Sequence, residues 1–178
     1  VWDSKLAETG EVLIAARQRL VDRLSPLVND HLRVLSGGVS NASLAYEESW
    51  SGPNLAAALS EARRDDLRRG TTTVGPHRDE VIITLDNLGA RHHSSQGEQR
   101  SLALAMRLAG HHLVTEDTGM RPVVLLDDVF SELDPDRSTA LVALLPKAQA
   151  VLTSTGNLPL GVVVDHWYRI AKGRVEVQ

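Results

Sequence analysis

The chain has 178 residues, of which 42% are apolar and 24% charged, with a formal net charge of −4 and no cysteine. That suffices for one substantial domain or two small ones, and it excludes disulfide frameworks and thiolate metal sites. No apolar run approaches the roughly 18–20 residues of a membrane span, no signal-peptide pattern is present, and the charge provides no global cationic field for nucleic acid. Split at Gly70, the first part carries 9 basic and 10 acidic residues and the second 10 and 13. Any DNA contact therefore needs a local patch. Aromatics are only 3%, so the core should be aliphatic. The absence of cysteine fits a reducing cytoplasm. An opening of Val1-Trp2-Asp3 without methionine is expected of a segment cut from a longer protein.

Residues 3–35 read as a helix. Leu6, Leu13, Leu20, Leu27 and Val34 recur every seven residues, as do Ile14, Val21, Val28 and Leu35, giving a broad apolar stripe. Asp3 or Ser4 can cap it, Ser36-Gly37-Gly38 ends it, and Ser25-Pro26 should kink or split it. Val39–Glu48 reads as a strand with Leu44 and Tyr46 on one side. Asn54–Arg69 reads as a second helix after the turn Ser51-Gly52-Pro53. Its cations Arg63, Arg64, Arg68 and Arg69 suit a phosphate patch, but interleaved Asp65 and Asp66 favour a solvated helix end, with Asp65 pairing Arg69. Strands are expected at Thr71–Val74 and Glu80–Leu85, with a turn at Asp86-Asn87-Leu88-Gly89. Ser95 then caps a long helix to about Val114. Val123–Leu126 is an unbroken apolar strand of the kind buried on both faces of a parallel sheet. A helix over Pro135–Leu145 leads to the strand Ala150–Ser154. Further strands are expected at Val162–Val164, Tyr168–Ile170 and Val175–Val177, the last after a turn at Gly173. The alternation argues for an α/β architecture.

Three segments carry chemistry. Val123–Asp128 places Asp127 and Asp128 at the C-terminal edge of a buried strand, where α/β sheets bind ligands. One carboxylate can hold Mg²⁺ and the next can orient or deprotonate an attacking water; a polar turn is the plainer alternative. Ser131-Glu132-Leu133-Asp134-Pro135 adds a second acidic turn, and also reads as a helix start with Asp134 as N-cap and Pro135 in the first turn. Ser94-Ser95-Gln96-Gly97-Glu98-Gln99-Arg100 places a hydroxyl and a glycine at a helix N-terminus, where free N–H groups and the helix dipole attract anions. The same residues also spell a capping box, Ser95 with Glu98. The phosphate-binding pattern G-x-x-x-x-G-K-[ST] does not occur in these residues. His92-His93 and His111-His112 have no third ligand at metal-site spacing. Arg78 can serve as a phosphate or DNA contact or as an internal partner of Asp79 or Glu80.

In combination, Ser94–Arg100 is similar to the signature motif of ABC-type ATPases, and Val123–Asp134 (VVLLDDVFSELD) resembles their Walker B strand and D-loop. Transporters typically carry Asp-Glu-Pro after that strand and a shorter gap back to the signature. The RecF family of recombination ATPases, relatives of the SMC proteins, fits better. Trp2-Asp3, Leu6, Ala7, Gly10 and Arg17 resemble that family's arm-domain opening, and Gly75-Pro76-His77-Arg78-Asp79 its pre-signature strand. The likeness runs from Val1 to about Gly156. It implies part of an ABC-type P-loop ATPase lobe with a mainly helical arm domain, residues 1–70 forming the arm and 71–178 the C-terminal part of the lobe.

The resemblance also implies roles. Ser95, Gln96, Gly97 and Glu98 would meet the nucleotide of a second protomer, with Ser95 and Gly97 on its γ-phosphate. Asp127 would coordinate Mg²⁺, and Asp128 would activate water where many ABC enzymes carry glutamate. Ser131 and Asp134 would lie in the D-loop at the dimer interface. Thr155 falls where many ABC ATPases have a γ-phosphate-sensing histidine. ATP and Mg²⁺ are the implied cofactors of the longer protein, neither expected to bind this chain tightly by itself. Duplex DNA near single-strand gaps, an ATP-joined homodimer and RecO- and RecR-type proteins are the implied partners, with no membrane. The implied setting is cytoplasmic DNA replication and repair, recombination and the SOS response. The competing expectation is a non-catalytic binding and dimerisation module that keeps an ABC-like scaffold. A metal-dependent phosphohydrolase built on Asp127 and Asp128 is weaker, since no His or further acid cluster completes a site.

Overall fold

The computed structural model describes residues 2–156 and 158–177. They form two compact units, Val1–Pro122 and Val123–Gln178, each considered by itself below. Among the described residues no helix is long and apolar enough to cross a membrane.

The first unit is built on α1 (Trp2–Leu35), which packs against β1 (Ala42–Glu47), α2 (Leu55–Arg69) and α4 (Gln96–Thr118). Only one of the two heptad series is its core face. Ile14, Val21, Val28 and Leu35 are buried together with Ala7, Gly10 and Leu32, whereas Leu13, Leu20 and Val34 are exposed. The helix does not split at Ser25-Pro26 and continues through Pro26 to Leu35. Packing on three elements outweighs the ~3 kcal/mol intrinsic cost of an interior proline, and Ser25 Oγ instead accepts the Leu44 N–H at 2.9 Å, tying helix to strand. Gly37 and Gly38, both at positive φ, end the helix where the sequence predicts.

Gly10 is glycine for lack of space. A Cβ there would lie 2.6 Å from Leu55 Cδ2 and 3.4 Å from Pro76 Cδ, inside the cluster of Ala7, Ile14, Leu55 and Leu59. Gly10→Val should therefore destabilise this unit by about 1–3 kcal/mol through overpacking, read as a lowered denaturation midpoint at unchanged secondary structure. An unchanged midpoint would show that the α1–α2 crossing is loose.

β1 pairs antiparallel with β2 (Glu80–Leu85), which pairs with the short β3 (Leu88–Gly89). Asp86 and Asn87 both adopt positive φ between them, the backbone of a two-residue hairpin turn that tolerates Asp and Asn. This sheet joins residues on either side of Gly70. The strand expected at Thr71–Val74 does not form. Asp66 Oδ1 accepts both the Thr73 N–H (2.9 Å) and the Thr73 hydroxyl (2.6 Å), so the donor a ladder would need is already committed.

α2 is capped by Asn54, whose side chain accepts from the Ala57 N–H, and is closed by Gly70 in the left-handed conformation. Two of its four cations pair at the surface: Arg63 with Asp3, and Arg68 with Asp65 at 3.1 Å, so Asp65 takes Arg68 where Arg69 was expected. Such exposed pairs contribute at most about 1 kcal/mol. The short helix α3 (Ala90–His93) leads into α4. His31 of α1 is half-buried toward α4. Desolvation holds its pKa below 6.5 despite a bond to the Ala105 backbone, and His112 acts in the same direction while Asp30 opposes it.

The second unit is a β–α–β crossover followed by a hairpin. β4 (Val124–Asp127) and β5 (Ala150–Thr153) pair in parallel, with α5 (Pro135–Leu144) between them in sequence, as parallel pairing requires. Leu141 of α5 is fully buried. The expectation that β4 is buried on both faces fails: Val124 and Leu126 are half-buried, but Leu125 is 74% exposed. Only two strands pair here among the described residues, and one face of β4 has no layer over it. β6 (Tyr168–Ala171) and β7 (Arg174–Val177) form the final hairpin through Lys172 and Gly173, both at positive φ. The strand expected at Val162–Val164 is a loop, because Gly161 at positive φ and the bond from Val162 N–H to Pro159 O turn the chain there.

Candidate functional site

Ser95–Glu98 lie in the first unit and Asp127–Thr155 in the second. Ser95 is the N-cap of α4. Its Oγ accepts the Glu98 N–H at 3.3 Å, while the Glu98 carboxylate accepts the Ser95 N–H (2.7 Å) and the Ser95 hydroxyl (2.8 Å). The capping box is thus fully formed. Gln96 begins the helix, exposed, and the Gly97 carbonyl accepts from Ser101 Oγ. Beside them, Ser94 Oγ is buried without a hydrogen-bond partner.

Gly75–Asp79 acts as a brace between α1, β1 and β2. Arg17 donates to the Pro76 carbonyl. Asp79 accepts from Tyr46 Oη (2.7 Å) and from the N–H and hydroxyl of Ser49. Burial and the bond to Asp79 raise the Tyr46 pKa. His77 and Arg78 both reach the Thr72 carbonyl. Of the two roles open to Arg78, this gives it an internal partner, though the Thr72 backbone and not Asp79 or Glu80. His111 Nε2 bonds the Pro122 carbonyl at 3.0 Å.

At the end of β4 the acidic residues converge. Asp127 sits opposite Thr153 in the parallel register. Thr153 Oγ1 donates to Asp127 Oδ1 at 2.5 Å and accepts the Asp128 N–H at 3.0 Å. Asp128 adopts the left-handed conformation, φ 46° and ψ 28°. That region costs an L-residue roughly 1–2 kcal/mol, and Asp is among the few that visit it. Ser131 Oγ donates to Asp128 Oδ2 (2.9 Å) and to its carbonyl (2.8 Å), pinning one carboxylate oxygen. The other, Oδ1, is buried with no partner. A buried acceptor without a donor is costly and recurs where a water, ion or ligand belongs.

Asp134 caps α5 by accepting the Arg137 N–H and also pairs with the Arg137 side chain at 3.4 Å. Asp127, Asp128 and Ser131 thus come together, while Asp134 serves the next helix. Thr155 lies two residues beyond β5, exposed. The residue that sequence reading misses is Thr153. Its signal was the pairing of two parallel strand ends, which shows only once Val124 is set against Ala150.

Among the described residues no group of three or more His, Cys, Asp or Glu side chains is placed to hold a metal ion, so this strand end offers a cation carboxylate oxygens only. Asp127 keeps Oδ2 for a ligand while Oδ1 is held, and carboxylate oxygens suit Mg²⁺.

The chain is 38% identical to the DNA replication and repair protein RecF of Agathobacter rectalis over 180 residues, covering 99% of this chain and 50% of that protein. It is equally similar to RecF of Streptomyces avermitilis, over 188 residues with 99% and 50% covered, and to RecF of Geobacter sulfurreducens, over 189 residues with 98% and 52% covered. Over nearly its whole length the chain is recognised as a RecF-like segment. It spans about half the length of the curated relatives it matches. Among solved structures, the recombination mediator protein RecF with ATP, of the RecFOR pathway, superposes with a TM-score of 0.83 at 31% identity, over 99% of this chain and 49% of that one. Its ATPrS counterpart gives 0.80 at 31%, over 98% and 49%. The Smc head bound to the C-winged helix domain of ScpA shares the fold at a TM-score of 0.54 and 16% identity, over 90% and 43%. No family model matches the chain. The fold is that of an ABC-type ATPase head with helical elements, as the sequence predicts.

Proposed function

We propose that this segment supplies the Walker B, D-loop and signature elements of a RecF-type ATPase whose phosphate loop lies in a preceding segment. The observation that carries it is the constellation at the end of β4: Asp127 held by Thr153, and Asp128 with one oxygen pinned and the other buried without a partner. Residues 1–70 supply the helical arm and 71–178 the lobe, although the α1 core extends to α4. Bound Mg²⁺ would neutralise charge on the nucleotide phosphates. Asp127 Oδ2 would hold the ion, and Asp128 Oδ1 would orient the attacking water and take its proton. Ser95 and Gly97, with Gln96 and Glu98 shaping the helix start, would meet the γ-phosphate held by a second copy, using the free N–H groups and the helix dipole.

In that reading ATP acts as part of a homodimer interface, with Ser131 and Asp134 beside it and Thr155 near the phosphate. The closed dimer engages duplex DNA beside gaps, hydrolyses ATP slowly, and assists recombinase loading with RecO- and RecR-type partners in the cytoplasm. The similarity to RecF proteins and the likeness to RecF with ATP support this reading. Reconstitution tests it. Joining the segment to a RecF phosphate-loop segment should produce Mg²⁺-dependent ATP turnover that the 178-residue chain lacks. Turnover by neither preparation would favour a non-catalytic dimerisation module, and the full capping box at Ser95 is the observation on that side.

A further inference from the structure

We infer that Thr153 is the positioning residue of this acidic centre, setting the Asp127 carboxylate for metal and the Asp128 turn for water through one hydroxyl. The inference rests on the nucleotide-site reading above. It begins from the register: parallel pairing of β4 with β5 brings Thr153 directly opposite Asp127. A threonine hydroxyl has one hydrogen to give and lone pairs to accept with. Here the hydrogen goes to Asp127 Oδ1 at 2.5 Å, and a lone pair takes the Asp128 N–H at 3.0 Å.

Each bond settles a different feature. The bond to Asp127 occupies Oδ1 and leaves Oδ2 as the ligand oxygen, so the carboxylate is presented in one orientation. The bond from Asp128 N–H holds the backbone where it enters the left-handed conformation. The Thr153 carbonyl reinforces it, accepting the same N–H at 3.2 Å. That conformation carries Asp128 Oδ2 to Ser131 and leaves Oδ1 buried without a partner. Thr153 is β-branched, so its χ1 is stiff and the hydroxyl stays where both aspartates need it. Thr153 itself acts only through Asp127 and Asp128.

Two substitutions separate positioning from folding. Thr153→Val keeps shape and β-branching but removes the hydroxyl, whereas Thr153→Ser keeps the hydroxyl. Both are made in the full-length RecF-type protein, and the affinity for a fluorescent ATP analogue is measured with and without Mg²⁺, beside the thermal midpoint. Loss of a residue that orients a metal ligand typically costs 10–100-fold in metal affinity. Thr153→Val should therefore erase most of the Mg²⁺-dependent gain in nucleotide affinity while leaving metal-free affinity unchanged, and Thr153→Ser should restore that gain. If Thr153→Val keeps the full gain, or Thr153→Ser fails to restore it, Thr153 does not position the centre. A wild-type protein with no Mg²⁺-dependent gain at all would instead overturn the nucleotide-site reading, and this inference with it.

Discussion

Replacing Asp128 by asparagine in a full-length RecF-type protein is expected to lower ATP turnover by about 10²–10⁴-fold, the usual contribution of a positioned general base, while nucleotide binding persists. Asparagine has nearly the shape of aspartate and also tolerates the left-handed backbone, so the turn at φ 46° should survive. Its amide oxygen can still accept from Ser131 Oγ, as Asp128 Oδ2 does at 2.9 Å. What disappears is the ability to take a proton at the buried oxygen. Single-turnover kinetics separate the step from binding. Turnover within a few-fold of wild type would remove Asp128 from the chemistry and leave its αL turn as a structural device.

The second large effect is expected at Ser95. Ser95→Arg should abolish ATP-dependent dimerisation, measured by sedimentation with and without ATP, and turnover should fall with it. A long cation in place of a small hydroxyl fills the approach to the α4 N-terminus and opposes the positive end of its dipole. The same substitution removes a working N-cap, whose bonds to Glu98 are all present. Losing such a cap costs ~1 kcal/mol, so the thermal midpoint should fall slightly. Extensive unfolding would show that Ser95 is chiefly structural. Dimerisation that persists at normal strength would show that the signature helix does not meet the partner's nucleotide.

Two helix starts were legible in the sequence because capping is local. Ser95 and Asp134 each cap the helix they precede, and each bond spans only three residues. At α1 the expected caps Asp3 and Ser4 instead lie inside a helix that already includes Trp2. The α1 heptads were legible as a pattern but not as a face. Two apolar series run along the helix, and the sequence does not say that Ile14, Val21, Val28 and Leu35 are the buried one. Thr71–Val74 reads as a strand by composition, yet Asp66 takes the Thr73 N–H from seven residues away. A local side-chain bond overrode strand propensity there, whereas at Pro26 packing carried the helix on.

The acidic centre divides along the same line. Asp127 and Asp128 stand out because two carboxylates after an apolar run are visible along the chain. Thr153 does not stand out, because its role comes from a register between strands 26 residues apart. The Gly75–Asp79 segment carried the family resemblance, and its contacts to Arg17, Tyr46 and Ser49 explain it as an internal brace. The apolar run of β4 predicted burial on two faces. The exposure of Leu125 follows from a sheet of two strands among the described residues. Such a bare apolar face is a natural seat for a further packing layer.

On the proposed function, this chain holds one part of a nucleotide site and the phosphate-holding part lies elsewhere. This is tested most directly by titrating the 178-residue chain with labelled ATP and Mg²⁺, beside the same chain joined to a RecF phosphate-loop segment. The expected result is no saturable micromolar binding by the chain alone and clear binding once the segment is joined. Micromolar Mg²⁺-dependent binding by the 178 residues alone would contradict it.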